Sequence, residues 1–264
     1  MHVGALYRYP FKGFTREVCD SLQVLPGGRV AGDRVFSLRL SRSALPDASW
    51  GPKTESLVLV NTPSLARLRL HFEMAANHAT LHDSDGTLLF EGVLDDNGRL
   101  RFAAVVADAL QDQGESPLVG GGDALTLRLV GDGVTPRYQD REPGYVTLHS
   151  RASVAAVAEA IGERAMLTEQ RFRSNVALDG LAPWQEQDLM GRRLRIGEVE
   201  LKIELPVTRC LATHANPSTG DCDVALMQRL LQMRPGGARP TFAVLTTSSL
   251  GGTIRLGDNV RVLD

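Results

Sequence analysis

Short alternating runs, not long amphipathic ones, dominate this chain. Val3 to Tyr9 alternates in character, and Val35-Phe36-Ser37-Leu38-Arg39-Leu40 alternates strictly. Both predict strands with one face turned inward. Pro26-Gly27-Gly28 and Ala31-Gly32-Asp33 mark turns between them. Leu65 to Phe72 predicts another strand, with Leu68, Leu70 and Phe72 on one side. Ala79-Thr80-Leu81 and Thr87-Leu88-Leu89-Phe90 flank Asp83-Ser84-Asp85-Gly86, a hairpin signature. The same acidic turn lacks the closing Glu and the other ligand positions of a calcium loop.

A 3.6-residue period appears only in places. Phe102, Val105, Val106 and Leu110 predict a helix. Gln113-Gly114-Glu115-Ser116-Pro117 and Gly120-Gly121-Gly122 then break the pattern and set a domain boundary, with units at 1–118 and 119–264. The triple glycine has no following Lys-Ser/Thr and reads as a linker, not a phosphate loop. Leu125 to Val130 and Tyr145 to Leu148 predict strands, and Ser150 caps a helix that runs through Ile161 to Gly162. Leu194 to Ile203 predicts strand, turn and strand. Asp223 is placed to cap a second helix, with Val224, Met227, Leu230 and Leu231 inward and Pro235-Gly236 closing it. Phe242 to Thr246, Thr253 to Leu256 and Val260 to Leu263 predict the last strands. With no βαβ alternation and no repeat, the expected fold is mostly β with a few helices, a β-barrel in each unit.

Composition narrows the class. The 264 residues are 43% hydrophobic, enough for a large core, and a net charge of −2 argues against a dedicated nucleic-acid binder. Three cysteines, Cys19, Cys210 and Cys222, without C-x-x-C spacing, argue against a disulfide framework or a structural zinc site. No signal peptide or apolar membrane-length run is visible, so a cytoplasmic protein is expected.

Candidate chemistry gathers in two places. Leu205-Pro206-Val207-Thr208-Arg209-Cys210 ends an apolar run with a cysteine beside an arginine, before the turn-rich Asn216-Pro217-Ser218-Thr219-Gly220. A Cys210 thiolate is a soft metal ligand; the alternative is a buried, inert thiol. Arg209 and Cys210 on adjacent strand positions face opposite ways, so a different cation would have to serve the thiol. Upstream, Arg171 and Arg173 share a face if extended, and Asn175 joins them, either as a receptor for phosphate or carboxylate or as a solvated basic edge. Lys12 and Arg34 are further cations at strand ends. One thiolate cannot hold a metal alone, so the set suits a metal brought by an anionic organic cofactor. A thiol-nucleophile pair of Cys210 with His149 or His214 is a competing reading. No Gly-x-Ser-x-Gly, His-Glu-x-x-His or Walker sequence is present.

These motifs carry a resemblance. Tyr9-Pro10-Phe11-Lys12-Gly13, Gly32-Asp33-Arg34-Val35-Phe36, Arg171-Phe172-Arg173-Ser174-Asn175-Val176, Gly197-Glu198-Val199-Glu200-Leu201, Arg209-Cys210 with Asn216 to Gly220, and Gly252 to Asp258 occur in this order. In that order the chain resembles the MOSC family, named after the molybdenum cofactor sulfurase C-terminal domain, with the β-barrel domain that often precedes it. The resemblance implies that Cys210 ligates molybdenum and that Lys12, Arg34, Arg173 and Asn175 help hold molybdopterin. It further implies reduction of N-hydroxylated small molecules. Electrons would come from a separate ferredoxin-, flavin- or cytochrome-type donor, because the chain has no haem, flavin or iron–sulfur motif. Arg171 and Arg209 complete the expected cofactor set. The alternatives are a carrier of the cofactor or of sulfur, and a cofactor-free interaction domain. Three positions depart from the family pattern: Gly13 where a Ser follows the Lys, Ser174 in place of Pro, and Val58 to Pro63 without an Arg. No membrane anchor of the mitochondrial kind is expected.

Overall fold

The computed structural model describes residues 1–111, 126–162, 167–233 and 238–263. The expected linker, the 118/119 boundary and Pro235-Gly236 lie outside the described residues. In chain order the elements are β1 (His2–Arg8), β2 (Glu17–Cys19), β3 (Ser21–Val24), β4 (Phe36–Leu40), β5 (Arg69–Glu73), β6 (His78–His82) and β7 (Leu88–Val93). Then come α1 (Asp96–Gln111), β8 (Leu127–Gly131), β9 (Val146–Ser150), α2 (Arg151–Ile161), β10 (Val176–Asp179), α3 (Gln185–Asp188), β11 (Arg193–Ile196) and β12 (Val199–Thr208). α4 (Leu226–Met233), β13 (Thr241–Thr247), β14 (Gly252–Arg255) and β15 (Val260–Leu263) complete the set.

An eight-stranded sheet runs β15-β11-β12-β13-β9-β10-β1-β2, antiparallel except for the β9–β10 pair. Its β15 end returns to β1: Val3 N donates to Asp258 O at 2.9 Å, Gly257 N to Val3 O at 2.9 Å and Val260 N to Met1 O at 3.0 Å. These bonds close a barrel, which removes open edges. Its interior is aliphatic, with Leu6, Leu148, Val176, Leu201, Ile203 and Val244 all buried. The chain's first strand is therefore a wall of a barrel whose other strands come mostly from residues 146–263.

The second core is aromatic. Six phenylalanines meet there, with Phe11 contacting Phe36 at 4.7 Å, Phe102 at 5.4 Å and Phe72 at 5.6 Å, and Phe90 lying 5.3 Å from Phe102. The strands around it form a β4–β8 pair and a β5–β6–β7 sheet, and α1 supplies Phe102, Val106 and Leu110 to cover them. A helix, not further strands, closes this half, because α1 carries a large apolar stripe that must be buried.

Most expected elements are present, and the exceptions have local causes. Strand β5 begins only at Arg69, since Pro63 opens a 3-10 turn over Pro63–Arg67. Leu68, Leu70 and Phe72 still share the buried face. The Asp83–Gly86 turn makes its hairpin, and Asp83 is taken by Arg67 at 2.6 and 2.8 Å. Ser150 caps α2 by accepting from Ala152 N, and Gly162 ends it at φ 74°. Asp223 does not cap α4, which starts at Leu226; its carboxylate accepts from Arg171 and Asn216 instead. Leu231 is exposed, and Leu226 takes the inward position. Among the described residues no helix is long and apolar enough to cross a membrane.

Replacing Phe102 by Ala removes the ring that joins α1 to the aromatic core, and urea denaturation should show a loss of about 3–5 kcal/mol. Leu100→Ala on the same helix, at a side chain 67% exposed, should change stability by no more than about 0.5 kcal/mol. Equal losses at the two sites would mean that α1 is not docked through Phe102.

Candidate functional site

Between the aromatic core and the cluster around Phe172, beside strands β9 and β13, a cleft of about 300 Å³ opens. Phe11 sends its ring into the aromatic core, and the turn that follows, with Phe14 N donating to Phe11 O at 3.3 Å, brings Lys12 to the cleft. The 31–34 turn holds Arg34 at φ 51°. Its Nη1 is paired with the buried Asp33, and its Nη2 donates to Arg173 O at 3.2 Å. Arg173, also left-handed at φ 51°, donates from Nη1 to Phe14 O at 2.5 Å. Both guanidiniums lie over the Tyr9 ring, at 4.6 and 4.4 Å from its centroid.

Cys210 stands where β12 ends. Arg209 N still bonds Pro240 O at 2.9 Å, and the chain then turns into a 3-10 helix at Leu211–His214. The Cys210 carbonyl accepts from Thr213 N at 3.1 Å and Thr213 Oγ1 at 3.0 Å, which fixes the half-buried thiol at the cleft. The nearby cation is Lys53, whose Nζ lies 3.8 Å from Sγ and 3.0 Å from Asp140 Oδ2. Arg209 indeed turns away: Nε donates to Phe242 O at 2.9 Å and Nη1 to Phe172 O at 2.8 Å, while Nη2 is buried without a partner.

The expected arginine receptor takes a different form. Residues Glu169–Phe172 coil into a 3-10 turn, so the alternation argued for an extended segment does not apply. Arg171 reaches the cleft wall, but its guanidinium is buried against Asp223 at 2.6 Å and His214 O at 2.8 Å. It braces the turn after Cys210. Asn175 does not line the cleft. Its Oδ1 accepts from Thr147 N and Oγ1, and its Nδ2 donates to Tyr7 O and Asp33 Oδ1. That uses the amide fully and leaves it no hydrogen bond for a ligand.

Neither histidine is aimed at Cys210. His149 is buried with Nε2 at 3.3 Å from Glu169, and His214 Nε2 accepts from Met227 N. Cys19 and Cys222 lie outside the cleft lining. The departures at Gly13 and at Val58 to Pro63 have physical readings. Gly13 sits at φ 89°, and a Cβ there would come within 3.2 Å of Leu65, which disfavours a serine. Val58 to Val60 line the cleft without a cation, and Lys53, five residues before them, supplies one.

Charge is the cleft's main property. Lys12, Arg34, Lys53, Arg141, Arg171, Arg173 and Arg209 line it, against one carboxylate, Asp140. Asp33 offsets Arg34, and Asp223 offsets Arg171. Lys12 and Lys53 share Asp140 at 3.7 and 3.0 Å. Crowding by protein would raise the Asp140 pKa, but Lys53 and then Lys12 outweigh it and hold it at about 2. The carboxylate is 64% exposed all the same, because it faces the open cleft. Burial lowers Lys12, with Asp140 opposing. Burial also pulls Arg173 and Arg209 down to about 10, and among the described residues neither has a carboxylate at ion-pair distance. Two desolvated guanidiniums held by carbonyl oxygens and aromatic faces have donors of the kind an anion accepts. Among the described residues no three His, Cys, Asp or Glu side chains cluster as metal ligands, so a metal at Cys210 would need other donors from its own cofactor. The residues therefore fit a metal carried by an anionic organic group.

Residues 139–261 match the family model described as the MOSC domain. Mitochondrial amidoxime-reducing component 1 of Mus musculus is 30% identical over 135 residues, covering 48% of this chain and 38% of that protein. The chain thus spans well under half of that relative's length. Among solved structures, the YuaD protein from Bacillus subtilis is 13% identical with a TM-score of 0.46, covering 98% of this chain and 93% of that one. YiiM from Geobacillus stearothermophilus is 17% identical with a TM-score of 0.33, covering 45% and 54%.

Arg173→Met should leave the ligand-free protein as stable as wild type or more so, because it removes an unpaired buried charge. It should also weaken binding of inorganic pyrophosphate by roughly one to two powers of ten, the worth of a charge-assisted hydrogen bond. Thermal melts and calorimetric titration read the two effects separately, and unchanged pyrophosphate affinity would remove Arg173 from the receptor.

A depressed carboxylate contributes stability above its ordinary pKa and loses it as pH falls through the folded value. For Asp140 the window runs from about pH 4 down to about 2. Asp140→Asn should therefore be less stable than wild type at neutral pH, with the gap in urea midpoint closing as the pH approaches 2. A gap independent of pH would show that Asp140 is not the anion that Lys12 and Lys53 share.

Proposed function

Because residues 139–261 carry a MOSC domain, we propose that this protein is a molybdenum-cofactor-dependent oxidoreductase that reduces N-hydroxylated compounds. The observation that carries the reading is the junction of one accessible thiol, Cys210, with the uncompensated cations Arg173 and Arg209 in a single cleft. When bound, the cofactor supplies the two-electron chemistry of N–O cleavage. The overall change is R–NHOH + 2 e⁻ + 2 H⁺ → R–NH₂ + H₂O. The electrons come from a separate ferredoxin-, flavin- or cytochrome-type protein.

The chain's own residues divide the remaining work. Cys210, as thiolate, would hold the metal, a role suited to soft sulfur. Lys12, Arg173 and Arg209 would take the cofactor's anionic end, with Arg34 fixing Arg173 through its carbonyl. Arg171 keeps the turn after Cys210 in place. Lys53 presents its Nζ–H groups beside the sulfur and is held charged: burial alone would lower its pKa, but Asp140 and the Cys210 sulfur outweigh that and raise it. Val58, Leu59, Val207 and Leu245 line the apolar part of the cleft.

The test is protein made in a host that synthesises molybdenum cofactor, assayed with an amidoxime or hydroxylamine and a chemical reductant. Wild type should contain molybdenum and turn over. Cys210→Ser should abolish turnover, since a hydroxyl is a harder and far less acidic ligand than a thiol. Cys19→Ser and Cys222→Ser should keep most of it. Full activity in Cys210→Ser would sink the assignment. A molybdenum-free protein bearing a persulfide on Cys210 would point instead to a sulfur carrier.

A further inference from the structure

Residues 132–145, between β8 and β9, contain no helix or strand, yet they bring Tyr138, Gln139, Asp140 and Arg141 to the cleft. Pro136 and Pro143 lie in this loop and have no backbone N–H to donate. The segment's own bonds lie near its ends, from Val134 N and Thr135 N to Asp132 and from Gly144 N to Arg141 O, and its middle is held from outside. On the cleft side, Gln139 O accepts from Trp50 Nε1 at 2.9 Å and from Lys12 Nζ at 3.5 Å, and Asp140 pairs with Lys12 and Lys53. The aim of two of the cleft's cations thus depends on where this loop sits.

Arg34 O accepts from Arg137 N and Tyr138 N in its middle, and Arg29 grips it on both sides of that point. Arg29 donates from Nε to Pro143 O at 3.0 Å, from Nη1 to Pro136 O at 2.6 Å and from Nη2 to Glu142 O. These carbonyls flank residues 138–141 at both ends. The rigid guanidinium fork joins them in a way that an ammonium cannot reproduce. Arg29 has no carboxylate at ion-pair distance among the described residues and does not line the cleft. Its own turn is mounted on the barrel. Leu25 N donates to Arg29 O at 2.7 Å and Gly27 N to Ser248 O at 2.8 Å, and Gly28, at φ 95°, lies so close that a Cβ would stand 2.8 Å from Thr247 Cα. The loop is fitted to the arginine in turn: Gly144 sits at φ 73°, where a Cβ would meet the Arg29 side chain at 2.6 Å.

We propose that Arg29 is a positioning residue for the anion cleft, stapling the 132–145 loop to the barrel so that Gln139 and Asp140 hold Lys12 and Lys53 in place. This rests on the reading of the cleft as an anion site. Three variants of the full chain test it: Arg29→Met, Arg29→Lys and Gly144→Ala. Inorganic pyrophosphate is titrated by calorimetry, and hydrogen exchange is followed over residues 136–144.

Arg29→Met should leave the thermal midpoint unchanged, speed exchange in this segment and weaken pyrophosphate binding roughly 3- to 30-fold, the range of coupling through a remote contact. Arg29→Lys should fall between Arg29→Met and wild type, since one ammonium can meet only part of the three-carbonyl site. Gly144→Ala should reproduce the exchange and affinity changes with Arg29 intact. Wild-type affinity in Arg29→Met, or weaker binding without faster exchange, would overturn the positioning role alone. A wild-type protein that binds no pyrophosphate would overturn the anion reading of the cleft and this inference with it.

Discussion

The Asp33 carboxylate, 1% exposed, is the joint on which the cleft depends. Its Oδ1 accepts from Tyr9 N at 2.9 Å and Asn175 Nδ2 at 3.3 Å, and its Oδ2 takes Arg34 Nη1. Those donors come from the end of β1, the start of β10 and the turn before β4. A buried carboxylate is tolerated only when its lone pairs are filled, and here the filling ties the barrel to the aromatic half. Arg34 carries the constraint onward. Its side chain donates to Arg173 O, and its carbonyl accepts from Arg137 N at 3.2 Å and Tyr138 N at 3.0 Å. Arg173 and the 137–138 segment at the cleft are thus both tied to Asp33 through Arg34.

Beyond that joint the cleft is under electrostatic tension. Arg173 and Arg209 are desolvated and hold only carbonyl oxygens and aromatic faces, with Arg209 lying 5.5 Å from the Phe172 ring centroid. Phe172 and Phe242 stack at 3.7 Å beneath it, so the guanidinium rests on a rigid floor. Charges kept this way cost the fold stability, and an anion bound to them would recover part of that free energy.

Part of this arrangement was legible along the chain. The motifs around Lys12, Arg34, Arg173 and Cys210 do converge on one cleft, although they lie up to 198 positions apart (Cys210 minus Lys12). Asn175 was misjudged because its motif says that a polar group is needed there, not which partner receives it; buried between β1 and β9, it spends its amide on the backbone. Asp223 was misjudged for a similar reason: a cap is a local choice, and a buried guanidinium in need of a counter-charge outcompeted it. Lys53 and Arg29 carried no signal at all, since a lysine after Gly-Pro and an arginine after Gly-Gly look like ordinary surface.

The sequence by itself determined what is local. Alternation set most of the strands, Ser150 and Gly162 set the ends of α2, and the cysteine spacing left one candidate thiol beside a turn. Only the tertiary structure decided that the first strand closes the barrel formed by the last ones, and that Lys53, not Arg209, stands beside Cys210. The reason is reach. Secondary structure follows from the period of neighbouring side chains, whereas a charge finds its partner through space, and which cations remain uncompensated is settled only when every buried acid has been assigned.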